Sequence, residues 1–225
     1  MTIQASDTFA RGNQSGWGTA SDGETWTETG VGTLSISANS GLISSLATDT
    51  HVQLGSKTLT DQDVSARVAI ANSGDVVGVQ ARFSAGGGNT TTYKFLYYGG
   101  GVHLNKANAG TNTQMTTATF TMVVATHYWM RLRCIGTSLY GRVWQDGTME
   151  PTTWTTTTTD SSVLSGGFAV LANGNTASGI SIDNFIADDL IVPVSSPQNT
   201  TVIATGRDGK TSATGRDGKA TARGH

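Results

Sequence analysis

Charge is scarce in this chain of 225 residues, where charged side chains make up 13%, about half of the usual share. Apolar residues reach 36%, which is too many for a chain kept disordered by polarity. The formal balance is −2, which excludes bulk attraction to nucleic acid. Proline occurs 3 times and cysteine once, at Cys134, so no internal disulfide can form. Cys134 ends the apolar alternation Met130, Leu132, Cys134 and is expected to be a buried structural thiol. No run approaches the roughly 20 apolar residues of a membrane-spanning helix, so no membrane insertion is expected. No window combines helical periodicity with caps, which excludes a helical bundle. The first residues, Met1 to Phe9, lack the basic and apolar regions of a secretory leader. The expectation is assembly without that export route, or a mature form expressed without its leader.

Glycine and threonine are abundant instead, at 29 and 37 residues. Threonine with Val, Tyr, Phe and Trp favours pleated, half-buried surfaces, and glycine supplies tight turns. Strand signals recur over Thr33–Ser37, Leu42–Leu46, Val52–Leu54, Asp63–Ile70, Val76–Ser84, Thr91–Tyr98, Val102–Lys106, Thr119–Val124, Tyr128–Ile135, Ser138–Trp144, Gly167–Leu171 and Ile180–Leu190. A further strand-like segment begins almost at the N-terminus. Gly99-Gly100-Gly101 and Asp146-Gly147 read as hairpin connections. The threonine run over 152–159, broken by Trp154, reads as an exposed edge or a connection. A dozen short antiparallel strands predict an all-β, two-sheet sandwich.

Period-two alternation assigns faces. Val77, Val79, Ala81 and Phe83 oppose Gln80 and Arg82. Tyr93, Phe95 and Tyr97 oppose Lys94, Leu96 and Tyr98; Val102 and Leu104 oppose His103 and Asn105. Met130, Leu132 and Cys134 oppose Trp129, Arg131 and Arg133, while Leu139 and Val143 oppose Tyr140, Arg142 and Trp144. One sheet is therefore expected to carry an outer face of arginine, aromatic and amide groups.

The C-terminus reads as a separate unit. Residues 204–212 and 213–221 repeat ATGRDGK at a nine-residue period. Asp208-Gly209 and Asp217-Gly218 are hairpin signals, flanked by Arg207 and Arg216. Residues 201–225 carry net charge +3 against −5 for the remainder. A meander of this composition buries no core of its own. It is expected to pair with other copies of the chain or to serve attachment. The division expected is a sandwich over 1–191, a linker over 192–200 and this tail.

Several motifs carry a resemblance. Asp7-Thr-Phe9, Gly16-Trp-Gly-Thr-Ala20, Trp26 and Gly30 resemble the opening of a concanavalin A-like (laminin G-type) jelly-roll domain. Arg131-Leu-Arg133, Gly136-Thr-Ser-Leu139, Arg142-Val-Trp144, Asp146-Gly147, Glu150-Pro151 and Trp154 follow the same pattern, as does Ile182-Asp-Asn-Phe185 through Leu190. One departure is His127, which stands where the family has the tryptophan of a Trp-Tyr pair. Such domains occur in minor tail proteins of actinobacterial phages and in bacterial glycan-binding proteins. The resemblance implies a virion structural or attachment protein, with virion proteins as partners. Its alternative is a secreted or cell-surface carbohydrate-binding module, and a glycoside hydrolase comes third.

Glucanases of this fold set paired carboxyls on one strand, and retaining glycosidases hold them about 5–5.5 Å apart. Here the glutamates are Glu24, Glu28 and Glu150, and no Glu-x-Asp-x-Glu occurs; Asp61 and Asp63 have the spacing without a third carboxyl. The four histidines lack zinc spacing, and there is no Gly-x-Ser-x-Gly elbow. No enzyme activity and no obligatory cofactor are expected. Asp7, together with Asp183, Asp188 or Asp189, is the calcium candidate if the terminal strands pair, because calcium takes oxygen ligands. Arg82, Lys94, Tyr98, His103, Asn105, Arg131, Arg133 and Arg142 are the glycan candidates, since planar donors and ring faces suit hydroxyls and C–H surfaces. Trp17, Trp26, Trp144 and Trp154 are expected to be core or loop anchors.

Overall fold

The computed structural model describes residues 2–44, 48–86, 89–174 and 179–190; the linker and repeat tail expected over 192–225 lie outside the described residues. The strands in chain order begin with Thr2–Asp7 (β1), Gln14–Ser15 (β2), Trp26–Thr29 (β3), Thr33–Ser37 (β4), Ser40–Ser44 (β5), Thr50–Leu54 (β6), Gln62–Ala69 (β7) and Val76–Gly86 (β8). They continue with Asn89–Tyr98 (β9), Gly101–Asn108 (β10), Thr111–Thr119 (β11), Tyr128–Ile135 (β12), Ser138–Gln145 (β13), Thr156–Thr159 (β14), Gly167–Asn173 (β15) and Ile180–Asp189 (β16). There is no helix among the described residues.

All the pairings are antiparallel, and they make two sheets. The larger runs β14-β13-β12-β7-β16-β5-β4-β2, with β1 also on β16; the smaller runs β11-β10-β9-β8-β15-β6-β3. The terminal strands do pair: β16 gives one edge to β7 and shares the other between β5 and β1. Their inner faces meet in the core expected from alternation. Val64, Ala66, Met130, Leu132, Cys134, Ile182 and Phe185 from one sheet join Val77, Val79, Tyr93, Phe95, Leu104 and Val170 from the other. Trp17 and Trp26 close one end, packing edge-on at 4.9 Å between centroids, with Phe9 beside both. Cys134 is buried, and desolvation pushes its thiol up to about 12, which makes it structural rather than reactive.

Two bulges redirect side chains. In β8 the register against β9 shifts between Ala81 and Ser84, and Arg82 takes a φ of 53°. The extra residue turns Phe83 away from the face of Val77 and Val79, and it sits 5.6 Å from the His51 ring instead. In β16 the shift falls between Asp183 and Ile186, with Asn184 at a φ of 46°.

Some strand expectations need correction. The strand expected over Thr119–Val124 is not formed: residues 120–124 lie outside any strand, and β11 runs before them and ends at Thr119. The threonine run does supply an edge, as β14. Asp146-Gly147 is no two-residue hairpin turn but opens the longer connection between the paired strands β13 and β14; β12 and β13 are joined across Gly136-Thr137. Gly99-Gly100 is a hairpin link, with both φ values positive and Tyr98 opposite Gly101.

Candidate functional site

The eight glycan candidates do not share one face. The structure divides them into three groups.

Arg131, Arg133 and Arg142 lie on the outer face of the larger sheet, and each is already engaged. Arg133 Nε donates to Asp63 Oδ2 at 2.7 Å, and Arg131 Nε lies 3.0 Å from the other Asp63 oxygen. Arg131 and Arg142 both donate to Glu150 Oε1 at 2.6 Å. The Arg142 guanidinium lies 3.9 Å from the centroid of Trp154, and that of Arg133 lies 5.1 Å from it. Beyond them Trp129 stacks on Trp144, and Trp129 Nε1 and Arg67 Nε share Asp146. Trp154 is therefore a loop partner of surface arginines and Trp144 a partner of Trp129, and neither stands in the core. This face is a network of compensated charges.

Arg82 lies on neither outer face. The bulge turns it inward, where it is 1% exposed. Its Nε donates to Thr60 O at 2.7 Å, and its Nη atoms donate to Val163 O and Gly136 O at 2.8 Å each. Three loops are tied together by one guanidinium, so Arg82 is structural.

The calcium candidates do not converge either. Asp7 is fully buried and accepts from Arg11 Nη1 at 2.7 Å, Trp26 Nε1 at 2.7 Å and Phe9 N at 2.8 Å. Burial alone would raise its pKa, but these donors outweigh burial and hold the carboxyl below its ordinary value. Asp189 stands at the far end of β1, accepting from Thr2 N and Gln4 Nε2. Asp183 accepts from Arg67 at 2.8 Å. Oxygens consumed by N–H donors at separate places do not fit a calcium ion, and no acidic, His or Cys cluster among the described residues could hold a metal.

Asp63 stands opposite Asp188 across β7 and β16, which sets two carboxyls on neighbouring strands. Burial, with the Asp63 charge second, raises the Asp188 pKa, as an acid catalyst needs. Asp63, however, is 2% exposed and held by two arginines, so it cannot reach a substrate.

Lys94, Tyr98, His103 and Asn105 do come together, on the outer face of the smaller sheet. The alternation in β9 and the tight Gly99-Gly100 turn place them there. Gln80, Lys94, Asn105 and Gln114 form one cross-strand row over β8, β9, β10 and β11. At the usual strand spacing that row spans about 14 Å. The adjoining row holds His51, Leu171, Gly78, Leu96 and His103. The half-exposed Tyr98 ring lies on His103 at 3.8 Å, nearly parallel. Tyr98 Oη donates to Gln114 Oε1 at 2.9 Å and accepts from Asn105 Nδ2 at 3.3 Å.

A cavity of about 410 Å³ opens beside Lys94, lined also by His51, Asp49, Asn112, Thr29 and Thr90. Lys94 is buried; its Nζ donates to Asn112 Oδ1 at 3.0 Å and stands 3.7 Å from Asp49 Oδ2. Burial lowers the Lys94 pKa, against the pull of Asp49. Burial likewise lowers that of His51, whose Nδ1 meets Gln80 Oε1 at 2.9 Å. A larger cavity, about 530 Å³, lies on the other sheet among Leu42, Ala69, Ile70, Val124 and His127. His127, the departure from the family motif, thus lines a surface hollow.

No protein-family model matches this sequence, and no curated protein matches it. Solved structures do. The carbohydrate-binding module CBM66 of Bacillus subtilis superposes with a TM-score of 0.58 at 14% identity, over 73% of this chain and 95% of that one. A Bacillus subtilis protein of unknown function with a galectin-like fold gives 0.62 at 10% identity, over 84% and 96%. The exoplasmic/lumenal domain of VIP36, in a Ca²⁺-bound form, gives 0.57 at 10% identity, over 78% and 88%. The chain is a concanavalin A-like jelly roll.

In this jelly roll, sequence reasoning missed Asp49, His51 and Asn112. His51 was open to discovery, because it alternates with the core residue Val52. Asp49 precedes a strand and Asn112 sits on an edge strand with no apolar alternation, so neither carried a signal. The outer face of the smaller sheet combines donors, acceptors and a ring surface around a cavity, which is the chemistry of polar small-molecule recognition.

Proposed function

We propose that this protein is a non-enzymatic carbohydrate-binding module that takes its glycan on the outer face of the smaller sheet. The observation that carries the reading is the continuity of the half-exposed Tyr98–His103 stack, the row Gln80–Lys94–Asn105–Gln114 and the cavity beside Lys94. Ring faces suit the C–H surfaces of sugars, and amides and cations suit their hydroxyls. Support from outside the chain is the fold, shared with a carbohydrate-binding module and with a VIP36 domain solved in a Ca²⁺/Man2-bound form. An extracellular or cell-surface location goes with this reading. A virion setting, the first expectation from the sequence, draws no support from the fold or from these neighbours. Immobilised glycans and calorimetry test the proposal. Tyr98→Ala combined with His103→Ala should weaken binding at least tenfold, and Arg131→Ala on the other sheet should leave it unchanged. The opposite pattern would move the site to the larger sheet.

A further inference from the structure

The charges and unused hydrogen-bonding groups of the smaller sheet bear on which glycans fit. Among the described residues, the cavity lining holds one cation, Lys94, and one carboxylate, Asp49, while burial favours the neutral form of His51. The 3.7 Å between Lys94 Nζ and Asp49 Oδ2 is too long for a hydrogen bond, so each retains capacity for a third group. Along the adjoining rows, three buried side-chain atoms have no partner among the described residues: Gln80 Nε2, Asn105 Oδ1 and His103 Nδ1. The first is a donor and the second an acceptor. His103 Nε2 faces Tyr98 O at 3.1 Å and must donate to it, so in the neutral ring Nδ1 is an acceptor too.

We propose that this face selects uncharged, hydroxyl-rich sugars, with neighbouring hydroxyls held between the Lys94 ammonium and the Asp49 carboxylate; the inference deepens the carbohydrate-binding reading and rests on it. A hydroxyl both donates and accepts, which matches a mixed set of open donors and acceptors. A carboxylate or sulfate only accepts. It would face Asp49 in the cavity, and would bury a charge whose natural partner, Lys94, is already balanced. A cationic sugar meets the same obstacle from Lys94.

Native gel electrophoresis in gels containing soluble polysaccharides tests this. The neutral polymers are mannan, galactomannan, xyloglucan and β-glucan, and the acidic ones are polygalacturonate, alginate and hyaluronate. At least one neutral polymer should retard the protein, and none of the acidic ones should. Asp49→Asn and Lys94→Met should each weaken the neutral interaction at least tenfold, with unchanged circular dichroism. Asp49 is partly exposed, so its substitution serves as the variant that keeps the fold. Retardation by acidic polymers alone, abolished by Tyr98→Ala, would overturn the charge selection and leave the carbohydrate-binding reading standing. Unchanged neutral binding by Asp49→Asn would also overturn it. No retardation by any polymer would overturn both.

Discussion

Replacing Arg82 by alanine removes the cation that joins three loops. Its guanidinium donates to Thr60 O, Val163 O and Gly136 O at 2.7–2.8 Å. The side chain is 2% exposed, and it also lies over the Tyr93 ring at 5.7 Å. Hydrogen bonds to charged groups contribute about 1.5–3 kcal/mol each, and water entering the vacated space recovers part of that. Three such bonds to backbone carbonyls, less what water recovers, put the expected loss at about 3–5 kcal/mol. For a fold whose total stability is about 5–15 kcal/mol, that is a third or more. With a urea slope of about 2 kcal/mol per M, the unfolding midpoint should fall by about 2 M. Arg82→Lys should rescue little, because one ammonium cannot reproduce the planar fork. Arg131→Ala is the comparison: Asp63 keeps Arg133 and Glu150 keeps Arg142, so its cost should stay within about 1 kcal/mol. Equal midpoints for Arg82→Ala and Arg131→Ala, measured by urea titration, would refute the reasoning.

Acid stability should depend on Asp7, whose carboxyl is held below its ordinary value of 3.8 by Arg11, Trp26 and Phe9 against the opposing effect of burial. A depressed carboxyl stabilises fully above its unfolded pKa and loses that contribution as pH falls through the folded one. Thermal melts should therefore drop below about pH 4, and Asp7→Asn should flatten that drop while lowering stability at pH 7; parallel curves for the two proteins would exclude it. The repeat over 201–225 is proposed to drive assembly or attachment, so a chain ending at residue 191 should stay folded and lose self-association. Equal masses by light scattering for the two lengths would contradict that.

Strict alternation made much of the fold legible. Thr33–Ser37 and Tyr128–Ile135 have the same bounds in the sequence and in the structure, since each sets an apolar row against a polar one. The strand Thr111–Thr119 was illegible because an edge with little burial on either side needs no alternation. The bulge at Arg82 was hidden for a different reason. Arginine fits a solvent position in the pattern, and only the long-range register against β9 and β15 shows the shift. Partition between sheets is long-range too. The alternation gave β9, β10, β12 and β13 similar polar faces, but pairing places the first two in one sheet and the last two in the other. Lys94, Tyr98, His103 and Asn105 were found by alternation alone, whereas Asp49 and Asn112 reach the cavity from outside any alternating segment.

The composition that suggested a sugar-binding surface, arginine with aromatic rings, is densest on the larger sheet, yet that face is the poorer candidate. Binding in water is an exchange of partners, and only the surplus counts. A sugar stacked on Trp154 must first displace Arg142, which lies 3.9 Å from the ring centroid and donates to Glu150. Arg131 draws on the same carboxylate, so the loss spreads through the network. The unpartnered side-chain atoms there are the guanidinium Nε donors of Arg131 and Arg142, which make no hydrogen bond. On the smaller sheet, Gln80 Nε2, Asn105 Oδ1 and His103 Nδ1 lie beneath the surface without partners, while Lys94 and Asp49 line an open cavity and stand 3.7 Å apart with hydrogen-bonding capacity to spare. The face with fewer charges therefore has more to offer a neutral ligand, because its polar groups have not already satisfied one another.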